Sequence, residues 1–378
     1  MATWWSVEDG SQKQRGKLDK DKNEMKMPKH FFLGTALLCA FVLTGSAAGP
    51  VKYELKHAYK IGGEGFWDYL TYDPASKLLF ISRDNRVMVL DPDKISMEDS
   101  KDHEMGTMTE ITGTDGVHGI ALAHDLGKGF TSNGRENSVT VFDLKGLKET
   151  NKIKIEGQNP DAILYDPASK RVFTFNGRSK DATVIDATKD TVIATIPLDG
   201  KPEFAAADGK GMVYVNIEDK SELTKIDARN AKVVTSWPLA PCESPSGLSI
   251  DTKTRRLFSG CHNKLLAVVN ADTGKVVTTL PIGEGVDATA FDPGTKLVFT
   301  SNGRDGTLTV IQEESADKFS VVQNAETQKN ARTMAVNPIN HEVYLVTAEI
   351  EQSPGSGGQP PRRRMKGGSF AVLIMEKK

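Results

Sequence analysis

The sequence predicts an all-β fold, a seven-bladed β-propeller of four-stranded blades, and three observations predict it. A unit of related sequence opens at Trp67, Val117, Pro160, Pro202, Pro245, Val286 and Ala331, at intervals of 50, 43, 42, 43, 41 and 45 residues. Each unit reads as short strands separated by turn signals, with no long helical period. The last unit is one strand short, and an unclaimed strand precedes the first, so the N-terminal strand is expected to complete the last blade. A linear β-solenoid is the alternative, but its repeats are usually shorter.

The elements follow in chain order. Residues 13–29 carry seven Lys or Arg, and 31–43, FFLGTALLCAFVL, hold no charge. Small residues follow, and Ser46 and Ala48 fit a small-x-small cleavage site. This order predicts a secretory signal peptide with a polar leader over 1–48, cleaved near Ala48, and a periplasmic or secreted mature chain. The apolar run is short for a membrane span, which needs about 20 residues. Met25 and Met27 compete with Met1 as the start, because MKMPKHFF is a more compact leader opening. A single propeller domain is expected over 49–378. The leader holds 7 of the 48 basic and 5 of the 50 acidic residues, leaving 41 against 45 and a net charge of about −4. Such a surface exerts no global pull on nucleic acid or anionic membrane.

YELKHAYKI at 53–61 is the closing strand. Within each unit an apolar run ends in a turn such as DPASK or DPGTK, where Asp-Pro starts the bend. A β-branched and aromatic run follows, FTSN at 130–133 and 299–302 and FTFN at 173–176. NGR or an equivalent makes the next tight turn, and an alternating run forms the third strand. KDTVIATIPL and GKVVTTLPI are the fourth strands and connectors. In the last unit, 349–369 is rich in Pro, Gly, Ser and Arg and reads as a flexible basic loop. SFAVLIM at 369–375 is the final strand.

The FTSN and FTFN runs and these connectors resemble the YVTN-repeat β-propeller family, most closely its exported YncE-like members. The resemblance covers essentially the whole mature chain. It implies the propeller fold and, for some members, DNA binding, but no defined activity.

Propeller topology puts the loop into the first strand and the loop between the second and third strands on one face. The residue after each opener is Asp68, His118, Asp161, Glu203, Ser246, Asp287 and Arg332. All seven are polar, which predicts a polar ring at one mouth of the central channel. Carboxylates with a His suit a ligand or cation site, or acid–base work; a solvated, ion-paired lining is the plainer reading. Arg135, Arg178 and Arg304 of the NGR turns, with Arg83 and Arg86 in blade one, are candidates for a basic collar toward an anion. Arg362, Arg363, Arg364 and Lys366 add a basic run on the same face, without aromatics for base stacking. Phe66, Trp67 and Trp237 read as blade packing.

Cys242 and Cys261 fall at neighbouring strand ends of blade five and are expected to pair. No haem-attachment, nucleophile-elbow or HExxH motif is present, and no cofactor is expected. The expectation is therefore a monomeric, non-catalytic exported propeller, binding an unknown periplasmic protein or small ligand through the polar-ring face. A lactonase-like or metal-dependent hydrolase with a channel site is one alternative, and a nucleic-acid-binding propeller the other.

Overall fold

The computed structural model describes residues 51–95, 107–353 and 362–378. The expected signal peptide and the tip of the basic loop, 354–361, lie outside the described residues. Seven four-stranded antiparallel sheets form the blades. The first six take their strands in sequence order, as in blade three: Pro160–Asp166, Arg171–Asn176, Asp181–Asp186 and Thr191–Pro197. Blade seven is assembled from both ends: Met334–Val336, Val343–Thr347, Ala371–Lys377 and, outermost, Tyr53–Lys60.

The core lies between the blades. Among the described residues there are seven buried apolar clusters, each shared by two neighbouring blades. Blades one and seven share one of them, through Trp67, Leu79, Ile81, Tyr344 and Val372, so the ring is closed. Each sheet buries both faces against its neighbours, which is where the apolar second and third strands find their stability.

The repeated FTSN run has a physical reason at every position. Phe130 and Phe299 are fully buried. Thr131 and Thr300 donate to Asn133 and Asn302, at 2.9 and 3.0 Å. Ser132 and Ser301 donate across to the backbone carbonyls of Asp161 and Arg332, in the next blade. Asn133 then donates to Ser138 and Thr140 on the third strand, at 3.1 and 2.8 Å. Asn176 and Asn302 make the same two bonds to Asp181 and Thr183, and to Thr307 and Thr309. The Asn is a staple between the second and third strands just below the turn. Replacing it by Leu strands buried hydroxyls, so Asn133→Leu should cost about 1–3 kcal/mol; a urea titration checks this, and a neutral result would dismiss the staple.

The Asp of each Asp-Pro turn caps its own bend: Asp73 accepts from Ala75 N and Ser76 Oγ, at 2.9 and 2.6 Å. Cys242 and Cys261 are joined as a disulfide, both fully buried. The basic loop is not all irregular. Ile350–Ser353 pairs with Arg362–Met365 as a hairpin, because Met365 is buried in the cluster between blades seven and one and Ile350 packs against it.

Candidate ligand site at the channel mouth

In the first six blades the register of the innermost strand pair shifts beside the opener, as between Trp67 and Leu70, Val117 and Ile120, and Pro160 and Ile163. A bulge breaks the alternation and re-aims a side chain. The shift falls on the residue after each opener, the position expected to line the mouth.

Six of the seven ring residues form one chain of contacts. Asp161 Oδ1 lies 3.8 Å from His118 Nδ1. His118 Nδ1 is bonded to Asp68 Oδ2 at 2.6 Å. Arg332 donates to Asp68 Oδ1 at 3.3 Å and the Trp67 carbonyl at 3.1 Å, and pairs with Asp287. Ser246 Oγ donates to Asp287 Oδ1 at 3.0 Å. Glu203 stands apart, paired with Lys201 at 2.5 Å, and Lys201 also holds Glu218 at 2.6 Å. Below the ring, the Tyr69 and Phe204 rings meet with centroids 4.3 Å apart. They come from the innermost strands of blades one and four, so an aromatic bridge crosses the axis.

Burial decides the electrostatics. It pushes the Asp161 carboxyl up to about 6, with the Asp68 charge adding and His118 opposing. It pushes Glu203 up to about 8, with Asp161 adding and Lys201 opposing. Glu218, also bonded to Lys201, is held below its usual range despite burial. One ammonium thus serves two carboxyls, and Glu203 is the one that keeps its proton. Burial pulls His118 down, but the bond to Asp68 and the charges of Asp161 and Asp68 outweigh it, so it is raised.

These shifts set a pH dependence. An acid whose folded pKa is raised contributes stability that is fully present below its unfolded value and lost as pH rises through the folded value. For Asp161 and Glu203 that window runs from about 4 up to about 8. Glu203→Gln should therefore melt above the parent protein near pH 9 and level with it near pH 4. Equal melting temperatures at both pH values would contradict the buried, protonated Glu203.

Asp68, His118 and Asp161 place one donor atom each within 4.8 Å of one another. The chain's own cations already answer these carboxylates: His118 Nδ1 is engaged by Asp68, and Arg332 stands on the other Asp68 oxygen. The donor set is that of a charge relay as much as of a metal centre.

The collar arginines are not equivalent. Arg135 pairs with Asp115 at 2.6 Å and with Asp84. Arg304 pairs with Glu284 at 3.2 Å. Arg178 is exposed and, among the described residues, its guanidinium has no carboxylate partner. Arg364 lies 3.8 Å from Glu351 across the hairpin; the side chains of Arg362 and Arg363 are not described. Arg83 is no collar residue. It is fully buried, with its guanidinium 3.6 Å over the Phe370 ring, because the loop into blade one folds over it. Arg86 pairs with Glu110 at 2.6 Å.

Two cavities open beside the ring. One of about 520 Å³ is bordered by Phe66, Asp68, His118, Arg135, Asn159 and Arg178. The other, of about 360 Å³, is bordered by His262, Asp287, Arg304 and Arg332. Asn137 and Asn159 were missed by the sequence reading, and Phe66 was read there as blade packing. Phe66 is 49% exposed at the cavity wall, not packed between blades. Its place just before the opener of its repeat, in the loop that reaches the channel mouth, was the available signal. Trp67 is buried as expected, and Trp237 stacks on Tyr214.

No protein-family model and no curated protein matches the chain. Solved structures do. RRP9 WD40 repeats share 10% identity over 87% of this chain and 100% of theirs, with a TM-score of 0.69. A chain of a mitotic checkpoint complex shares 12% identity over 94% of this chain and 99% of its own, at 0.67. A Kuenenia stuttgartiensis hydrazine synthase chain shares 14% over 80% of this chain and 95% of its own, at 0.62. At these identities the likeness is one of fold.

Proposed function

We propose that this chain is an exported, non-catalytic binding propeller of the YVTN-repeat kind, which takes a small ligand at the channel mouth. One observation carries the reading. Equivalent positions of successive repeats converge as a linked polar ring, and that ring opens on a cavity of about 520 Å³, a size that suits a small molecule. The buried disulfide supports export, since such bonds persist in oxidising compartments. Export predicts a mature protein that begins just after Ala48 and is recovered outside the cytoplasm. N-terminal sequencing tests this.

Binding is tested by a melting-temperature screen of amines, neutral sugars, hydroxy acids, dicarboxylates and divalent cations. A hit should raise the melting temperature of the parent protein, and Asp161→Asn, which keeps the shape of the ring and removes a negative charge, should shrink that rise for an amine or cation and enlarge it for an anion. A hit unaffected by that change would move binding off the mouth. Nucleic acid is the weaker reading, because the ring carries four acidic side chains, Glu203 protonated among them, against one arginine and His118. Titration of single- and double-stranded DNA at low and moderate salt should show no salt-dependent binding.

A further inference from the structure

Blade three breaks the pattern of charge pairing at the mouth. In blades two and six the arginine of the NGR turn is answered by an acid in the entry loop, three residues before the ring position. Arg135 pairs with Asp115 at 2.6 Å, and Arg304 with Glu284 at 3.2 Å. In blade three Gln158 holds that place, and the Arg178 guanidinium has no hydrogen bond or ion pair among the described residues. The same blade carries an acid without a donor. Asp68 is bonded to His118 and Arg332, Asp287 to Arg332 and Ser246, and Glu203 to Lys201. The Asp161 carboxylate accepts no hydrogen bond among the described residues. His118 Nδ1 stands 3.8 Å away, beyond hydrogen-bond reach and already bonded to Asp68. The Asp161 side chain is 21% exposed, so it can be reached.

We propose that blade three seats an amino-carboxylate zwitterion at the channel mouth, its ammonium on Asp161 and its carboxylate on Arg178. Main-chain bonds hold the two anchors on one rim. Pro160 pairs with Asn176, Gly177 N donates to the Asn159 carbonyl at 3.0 Å, and Arg178 N to the Gln158 carbonyl at 3.2 Å. The two side chains nevertheless form no ion pair with each other. The cavity of about 520 Å³ extends from one to the other, since His118 beside Asp161 and Arg178 itself both border it. A simple anion there would meet the Asp161 charge, and a simple cation the Arg178 charge; a zwitterion answers both. The guanidinium is free to form a bidentate pair with a carboxylate. Asp161 is mostly ionised at neutral pH, since burial holds its carboxyl at about 6. Half-exposed Phe66 offers an apolar wall to the carbon chain between the charges.

This inference rests on the ligand-binding reading, and its test separates the two. Calorimetric titration of the mature chain at neutral pH uses glycine, β-alanine, γ-aminobutyrate and ε-aminocaproate, a series that varies only the spacing of the two charges. The best member should bind at least about tenfold tighter than the amine and the carboxylate of its own chain length, since one hydrogen bond to a charged group is worth that factor. Arg178→Gln and Asp161→Asn should each lose at least about tenfold. Gln158→Glu supplies the acid that blades two and six place there, so it should pair with Arg178 and weaken binding by a similar factor. Gln158 and Arg178 are both exposed, and their variants should keep the parent melting temperature. The amine or the carboxylate alone binding as tightly as the amino acid, parent affinity in any of the three variants, or no binding across the series would overturn the proposal. If the series fails while the screen above yields another ligand whose effect changes in Asp161→Asn, the channel-mouth reading stands and the zwitterion inference falls.

Discussion

Replacing Arg83 by alanine is expected to lower the unfolding free energy by about 3–5 kcal/mol, the largest single-residue loss anticipated in this protein. Its guanidinium lies in the seam where the ring closes. It donates to the carbonyls of Glu64 at 2.9 Å, Gly65 at 3.2 Å and Gly62 at 3.4 Å. Those carbonyls turn inward because Gly62, Gly63 and Gly65 all take positive φ, which a side chain would resist. The other face of the guanidinium stacks on Phe370, whose carbonyl accepts from Ile61 and Gly62 N–H. Arg83 thus ties the loop into blade one to the last strand of blade seven. Alanine would strip three part-buried carbonyls of their donor and leave a cavity beside Phe370, and both costs fall on the native state. Lysine should recover less than half, since one ammonium cannot reach three carbonyls as a planar fork does. Urea titrations of the three proteins read this as a midpoint shift at constant slope. A loss below about 1 kcal/mol would mean that the seam is held by apolar packing alone.

Arg83 also shows where sequence reading stops. Its position in the repeat is that of a turn residue, which suggested an exposed collar. Nothing in the pattern reports that the preceding glycine-rich loop folds over it. The blades were legible because their signals are local or periodic: Asp-Pro at each bend, β-branched runs between, and one unit written seven times. The ring was legible as a set of equivalent positions because repeat symmetry maps each to the same place on its blade. Its wiring was not. That Arg332 reaches both Asp287 and Asp68, while Glu203 turns to Lys201, depends on side-chain lengths across an axis. The Tyr69–Phe204 bridge joins blades one and four, which no local signal connects. The hairpin inside the basic loop was masked by composition: Pro, Gly and Ser dominate the segment, and the burial of Met365 outweighs them. Asn159 was passed over because amides carry no charge to attract notice, although the NGR turns beside it were singled out.

The second large effect acts mainly on the unfolded chain. Removing the Cys242–Cys261 disulfide by double substitution to alanine should cost about 3 kcal/mol, since the bond closes a loop of 19 residues in sequence. The native state has other means of holding those ends together. Pro245 pairs with Cys261 in the sheet, and His262 N donates to the carbonyl of Glu243 at 3.1 Å. The double variant should therefore keep the fold and the position of Ser246 in the ring, while its unfolded ensemble gains the freedom the cross-link removed. Two consequences follow that a purely local loss of packing would not produce. Reductant should leave the native protein intact for long periods, because both sulfurs are fully buried, and should act quickly once urea opens the chain. The reduced parent protein should then refold with the stability of the double alanine variant, within the small cost of burying two thiols. If reduced and oxidised proteins unfold at the same urea concentration, the bond does not constrain the unfolded chain, and the ends of blade five are fixed by the sheet before the sulfurs meet.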